Sequence, residues 1–290
     1  MRQNKRSVTV NSPVISQSPE FDDHKDIINM KCVNLPPFLN EKSEQPLKKE
    51  KDIQKLILVI DNDECIGSWG DLSLLYSIFK NEHISEPDIE IFAKIMNDTH
   101  CIRPYVKELF ETIIDFKKKG IVYKVFMCTA ASNIYGWVIF LSKILERWFG
   151  QKIYDEIIYG EMIEEWHIFN KSTVRNEIGY IKNMDMIREV ISFKYNENPD
   201  KYAIVAIDDR PKNIKNGIPI AVSPYNVVIN IFQVLKVYFP DKFEYLMGRY
   251  ELIINNSWEK YLKKPYGYSK YYIDNDIFKG IEIIHKIIFE

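Results

Sequence analysis

Hydrophobic positions along the chain alternate between two rhythms. Leu56-Ile57-Leu58-Val59-Ile60 is an unbroken apolar run that stops at Asp61-Asn62-Asp63-Glu64-Cys65. A run with no polar alternation is what a strand buried on both faces requires, so it predicts a central parallel strand carrying two acids to the carboxyl edge of its sheet. Three more predominantly apolar runs read as strands, the first of them interrupted by Lys124. Ile121 to Cys128 ends at Thr129-Ala130-Ala131-Ser132, Tyr202 to Ile207 ends at Asp208-Asp209-Arg210-Pro211, and Ile218 to Val222 forms a short last strand.

Between these runs the apolar residues recur at helical spacing. The stripes are Leu74, Leu75, Ile78 and Phe79, then Ile91, Phe92, Ile95 and Met96, then Val106, Leu109, Phe110, Ile113 and Ile114 in a helix that Arg103-Pro104 is expected to start, with Pro in its first turn. Later stripes run from Trp137 to Trp148, over Ile187, Val190 and Ile191, over Val228, Ile231, Phe232 and Leu235, and over Ile277, Ile281, Ile284 and Ile288. Strands alternating with helices predict an α/β fold, a mainly parallel sheet with helices on both faces. The two stripes between Leu74 and Met96 either form a small helical insert over the end of the sheet or pack into the main core. Ile153 to Trp166 mixes aromatic and acidic residues and reads as a less regular region.

Three regions follow. Residues 1–50 are rich in Ser, Pro, Asn and charge with no sustained period, which predicts a disordered polar tail. Residues 51–249 form the main domain and residues 250–290 a C-terminal helical extension. Over 290 residues the hydrophobic fraction is 46%, the charged fraction 28% and the formal net charge −2. These values predict a soluble globular protein and speak against one that coats nucleic acid through many cations. A nucleic-acid partner is therefore not favoured, although the aromatic and basic run from Tyr261 to Tyr268 has the composition to stack bases.

Cys32, Cys65, Cys101 and Cys128 lie at wide, irregular spacing with no C-x-x-C pair, which predicts reduced thiols and no zinc site. The basic start Met1-Arg2-Gln3-Asn4-Lys5-Arg6 leads into polar residues, and no apolar run is long enough to span a membrane. The expectation is an intracellular protein, cytoplasmic or nuclear and not secreted, with no membrane partner.

The candidate chemistry lies at the strand ends. Asp61, Asp63, Asp208 and Asp209 converge if the sheet forms as predicted, and adjacent buried carboxylates need a cation or a shared proton to coexist. A hard divalent ion held by oxygens, Mg²⁺ above all, is the simplest partner. Taken singly, an Asp-x-Asp or an Asp-Asp is as well explained by a turn or a helix cap. Each in order after its own apolar strand makes a more specific pattern.

That pattern resembles the haloacid dehalogenase-like (HAD) hydrolase superfamily. Asp61-Asn62-Asp63-Glu64-Cys65 is similar to its first motif, Thr129 in Cys128-Thr129-Ala130-Ala131-Ser132 to its second, and Asp208-Asp209-Arg210-Pro211 to its last acidic motif. Arg103-Pro104 with its helix, and Gly179-Tyr180-Ile181-Lys182-Asn183-Met184, resemble the FCP/SCP-type branch, protein-serine phosphatases acting on the C-terminal domain of RNA polymerase II. The likeness covers about Lys55 to Leu246. The chain departs from the branch at Cys65, where Thr or Val is usual, at Asn62 and at Asp209, and in the helical reading of Asp71 to Cys101.

The resemblance implies a HAD-like, Rossmann-like fold and a Mg²⁺-dependent phosphomonoester hydrolase working through an aspartyl-phosphate. Asp61 would be the nucleophile, and Asp63 the acid and then the base. Thr129 would hold the phosphoryl group, and Lys182, with Lys171 as its rival, would neutralise charge. Asp61, Asp208 and the Asp63 carbonyl would hold the metal, with Asp209 supporting. Ala130, Arg103 and Arg210 would contact a phosphorylated protein or peptide, although either arginine also fits a structural ion pair. A phosphatase for nucleic-acid 3′ ends or small metabolites, and a catalytically silent binding module, are the alternatives.

Overall fold

The computed structural model describes residues 55–81, 87–177, 179–261 and 274–289. The tail expected over residues 1–50, Cys32 and the run that follows Tyr261 lie outside them. Five parallel strands build the main sheet. They are β1 (Lys55–Ile60), β2 (Val122–Cys128), β3 (Glu156–Ile158), β7 (Tyr202–Asp208) and β9 (Ile218–Ala221), in the spatial order β3-β2-β1-β7-β9. Four two-residue strands make side ladders. β4 (Arg175–Asn176) pairs antiparallel with β5 (Gly179–Tyr180), and β6 (Lys182–Asn183) pairs parallel with β8 (Ile214–Lys215).

Residues Leu56 to Ile60 of β1 are all buried, which is why the central strand reads as an unbroken apolar run. Leu56, Leu58 and Ile60 face one core, and Ile57 and Val59 face the other. Each such aliphatic side chain contributes about 1.5–3 kcal/mol when removed from water.

The larger core is covered by α1 (Gly70–Asn81), α2 (Ile89–Asp98), α3 (Val106–Lys118), α4 (Trp137–Phe149), α7 (Ile231–Tyr238), α8 (Phe243–Tyr261) and α9 (Asp276–Phe289). The smaller core is covered by α5 (Gly160–Phe169) and α6 (Asp185–Tyr195). Among the described residues no helix is long and apolar enough to cross a membrane.

The structure decides between the two readings of the Leu74–Met96 stripes. Leu75, Ile78, Phe79, Phe92, Ile95 and Met96 are buried in the main core, with the Phe92 and Phe140 ring centroids 5.3 Å apart. Helix α2 starts where Asp88 Oδ1 accepts the Glu90 and Ile91 N–H groups at 2.7 and 3.4 Å. Neither α1 nor α2 lies over the end of the sheet where the acids emerge.

Two expectations are corrected. Ile153 to Trp166, read as less regular, contains the edge strand β3 and most of α5, and a three-residue strand running almost directly into a helix shows neither period long enough to detect. The helix after Arg103-Pro104 begins only at Val106, because Tyr105 takes a left-handed conformation with φ 65°. Arg103 therefore stands before the helix and points elsewhere.

Candidate active site

The site is built where β1, β2 and β7 end side by side. The Asp61 N–H donates to Ile207 O at 2.9 Å and the Thr129 N–H to Ile158 O at 3.0 Å, so both residues stay in line with their strands to the edge. Beyond that edge lies a cleft of about 200 Å³. Asp61, Asp63, Thr129, Ala130, Lys182, Asp208, Asp209 and Arg210, all read from the sequence, line it.

Lys182 enters from the side ladder. Its strand β6 is fixed by pairing with Ile214 and Lys215, and its Nζ lies 2.7 Å from Asp61 Oδ1 and 2.7 Å from Asp208 Oδ2. Burial alone would drive this ammonium toward neutrality, but the carboxylates of Asp61 and Asp208 outweigh it and raise its pKa above the ordinary lysine value. Asp208 is pinned further by its Oδ1, which accepts the Arg210 N–H at 2.6 Å. Lys171, the rival, is exposed in the turn after α5 and does not line the cleft.

One carboxylate oxygen each from Asp61, Asp208 and Asp209 lies within 4.8 Å of the others. Burial holds the Asp61 carboxyl well above the usual range, against the pull of Lys182, and burial also raises Asp209. The buried Asp209 Oδ2 has no hydrogen-bond partner, with Arg210 Nε 3.4 Å away. Among the described residues, Asp61, Asp208, Asp209 and Glu64 form ion pairs with Lys182 and Arg210, a formal deficit of two positive charges when all are ionised. A divalent cation with oxygen ligands fits this set by charge and by donor chemistry. Asp209, read from the sequence as a supporting residue, stands in the cluster, whereas the Asp63 carboxylate does not.

Asp63 sits at the mouth of the cleft, exposed to solvent on one side and walled by protein on the other. That surrounding pushes its pKa up to about 6, with Glu64 adding to the shift and the Trp69 N–H opposing it. The turn that carries it is tight. Glu64 has φ 60°, its N–H donates to Gly67 O at 2.9 Å, and the Trp69 indole Nε1–H donates to Asn62 O at 3.0 Å.

Across the cleft, Thr129 Oγ1 accepts the Ala131 N–H at 3.1 Å, which leaves the hydroxyl hydrogen free to donate outward. Cys65 and Cys128 are not rival nucleophiles. Burial pushes Cys65 far above the ordinary thiol value and Cys128 up to about 12, so neither is a thiolate near neutrality.

Arg103 is the one expected substrate contact that the structure does not bring to the cleft. It is buried, with Nε 2.6 Å from Asp274 Oδ2. Arg210 does line the cleft, where its Nη2 meets Glu64 Oε2 at 3.0 Å. Sequence reasoning missed Glu64, Ala131, Tyr180 and Asn213 as lining residues. Glu64, Ala131 and Tyr180 sit inside the motifs already quoted, and nearness to those motifs was the only signal for them.

No protein-family model matches this sequence, and no curated protein matches it. Among solved structures, a mutant of CbbY from Rhodobacter sphaeroides in complex with xylulose-(1,5)bisphosphate is similar in part. Identity is 14% and the TM-score 0.30, over 52% of this chain and 77% of that chain.

Proposed function

We propose that this chain is a Mg²⁺-dependent phosphomonoester hydrolase of the HAD type whose substrate is a phosphoserine or phosphothreonine protein. The observation that carries the reading is the placement of Lys182 between Asp61 and Asp208, with Asp63 and Thr129 on the walls of the same cleft. A carboxylate attacks an anionic phosphate only where charge is neutralised, and this arrangement supplies fixed positive charge at the nucleophile itself.

In this reading an Asp61 oxygen forms a bond to phosphorus as the bond to the leaving oxygen breaks. Asp63, on the mouth side, protonates that leaving oxygen. It then takes a proton from the water that hydrolyses the aspartyl-phosphate, returning Asp61 to its free state. Thr129 donates its free hydroxyl hydrogen to a phosphoryl oxygen, and the backbone of Ala130 borders the same wall. Lys182 stays charged throughout and holds Asp61 in position. The residues that would hold the metal are Asp61, Asp208 and Asp209, and the ion would supply charge screening and Lewis acidity.

Access supports a macromolecular substrate over a small metabolite. Helices α1 and α2 are built into the core, and among the described residues neither contributes to the cleft. A phosphorylated side chain projecting from an extended peptide can therefore approach from the mouth between Asp63 and Arg210. A substrate panel tests this choice. Phosphoserine or phosphothreonine peptides should be turned over with higher kcat/KM than sugar phosphates or 3′-phosphorylated oligonucleotides. A preference for either of the other classes would replace the protein-substrate reading.

A further inference from the structure

Arg103 uses every donor that it has. Its Nε donates to Asp274 Oδ2 at 2.6 Å, and Nη2 donates to Asp274 Oδ1 at 3.0 Å and Asp276 Oδ2 at 3.4 Å. The remaining nitrogen, Nη1, donates to two backbone carbonyls, Cys65 O at 3.0 Å and Ser223 O at 2.7 Å. Five donors matched on a buried guanidinium are the most that an arginine can make. A side chain serving only to pin α9 against the domain would need the carboxylates alone. Here Nη1 reaches the turn that carries Asp61 and Asp63.

The surroundings of that turn share the same logic. On one side the Arg103 N–H donates to Ile66 O at 3.0 Å and the Ser68 N–H to Cys101 O at 2.8 Å. On the other side, the segment between β9 and α7 lies along the turn as a strap. The Tyr225 N–H donates to Glu64 O at 2.7 Å, and Ser68 Oγ donates to Val227 O at 3.0 Å. The Arg103 guanidinium carbon lies 5.7 Å from the Tyr225 ring centroid. Asp276 Oδ2 meanwhile accepts the Ser223 N–H at 2.9 Å and the Ser223 Oγ–H at 2.6 Å. The C-terminal segment thus holds both Arg103 and the strap, and both hold the turn.

We infer that Arg103 is a positioning residue for the nucleophile turn, and that the segment beginning at Asp274 completes the site by holding Arg103 in place. The catalytic part of this inference rests on the reading of Asp61 and Asp63 given above. A bidentate carboxylate fixes the plane of a guanidinium, so Asp274 sets the direction in which Nη1 points. Loss of that direction frees the Cys65 carbonyl and lets the turn move relative to Lys182 and Asp208, which sit on other elements. Displacements of about 1 Å at reacting groups cost roughly 100-fold in rate.

The test uses the full chain with Asp274→Ala, Asp274→Asn and Arg103→Lys. Hydrogen exchange of the Glu64, Ile66 and Ser68 amides is read beside the kcat and KM for an aryl phosphate with Mg²⁺. In Asp274→Ala the turn amides should exchange about 10-fold faster while β1 and β7 amides keep their protection. The kcat should fall roughly 10- to 100-fold with KM changed by less than about 3-fold, and Asp274→Asn, which keeps one acceptor, should fall between. Arg103→Lys keeps the charge but not the fork, so it should behave like Asp274→Ala. Turn amides exchanging at wild-type rates while α9 amides speed up would overturn the inference. If the wild type hydrolyses nothing, the phosphatase reading fails, and the exchange data alone still decide whether Asp274 holds the turn.

Discussion

Lys182 Nζ lies 2.7 Å from Asp61 Oδ1, joining a two-residue side strand to the end of the central strand of the sheet. Both groups are almost fully withdrawn from water, so each depends on the other for its charge. Lys182→Met should therefore cost the metal-free protein about 3 kcal/mol, because Asp61 and Asp208 would be left facing each other unpaired. Added Mg²⁺ should restore part of that loss. Denaturant titration with Mg²⁺ or with chelator measures both effects, and activity should be lost in either condition.

Asp209 gives a prediction of opposite sign. Its buried Oδ2 has no hydrogen-bond partner and stands beside two other acids, whose repulsion the half-exposed Arg210 guanidinium, 3.4 Å away, offsets only in part. Asp209→Asn should leave the metal-free protein as stable as the wild type or more stable, by up to about 1 kcal/mol, since it removes repulsion. The same change should reduce the rise in Tm produced by Mg²⁺, because a donor has been lost. Melting curves with and without Mg²⁺ check the reversal.

Gly160 supports the phosphoryl-binding wall from behind. A Cβ there would come 2.8 Å from Ala130 O and 3.2 Å from Ala131 O, both backbone atoms with no freedom to turn aside. Gly160→Ala should destabilise the fold by about 1–3 kcal/mol. It should also lower activity roughly 10-fold by shifting Thr129 and Ala130, since misplaced positioning groups act on rate. Steady-state kinetics at a temperature where the variant stays folded separates the two effects.

Asp276, which does not line the cleft, sets a pH dependence of its own. The Ser223 hydroxyl and then the Ser223 N–H hold its carboxyl down to about 2, below the ordinary 3.8. A group whose folded pKa is depressed favours folding when ionised. Its contribution is fully present above about pH 4 and is lost as pH falls toward 2. Asp276→Asn should remove that part of the acid sensitivity, giving a shallower fall in Tm between pH 4 and 2 than the wild type shows.

The sheet and its acids were legible because β1 and β7 are continuous apolar runs, and β2 is nearly one, each with a polar terminus that marks the edge. β1 is the clearest case, buried on both faces and ending at Asp61. Lys182 was legible only through its neighbours, since a two-residue strand carries no period of its own. β3 was not legible for the same reason. The helical stripes of α1 and α2 show that one face of each is buried, but a stripe does not say against what. Arg103 fitted either a substrate contact or a structural ion pair, and the sequence could not choose because its partners, Asp274 and Asp276, lie far along the chain and nothing local announces a contact at that separation. Asp209 could not be told from a turn residue until its carboxylate was seen beside Asp61 and Asp208.

Attack of Asp61 on phosphorus with the help of a divalent ion has a direct consequence for activity. Hydrolysis of a generic aryl phosphate, followed from mildly acidic to neutral pH with Mg²⁺ or with chelator, for the wild type and for Asp61→Asn, tests it most directly. The wild type should turn over substrate only with Mg²⁺, and a folded Asp61→Asn should not turn it over at all. Turnover that survives chelation, or that survives the loss of the Asp61 carboxylate, would contradict that mechanism.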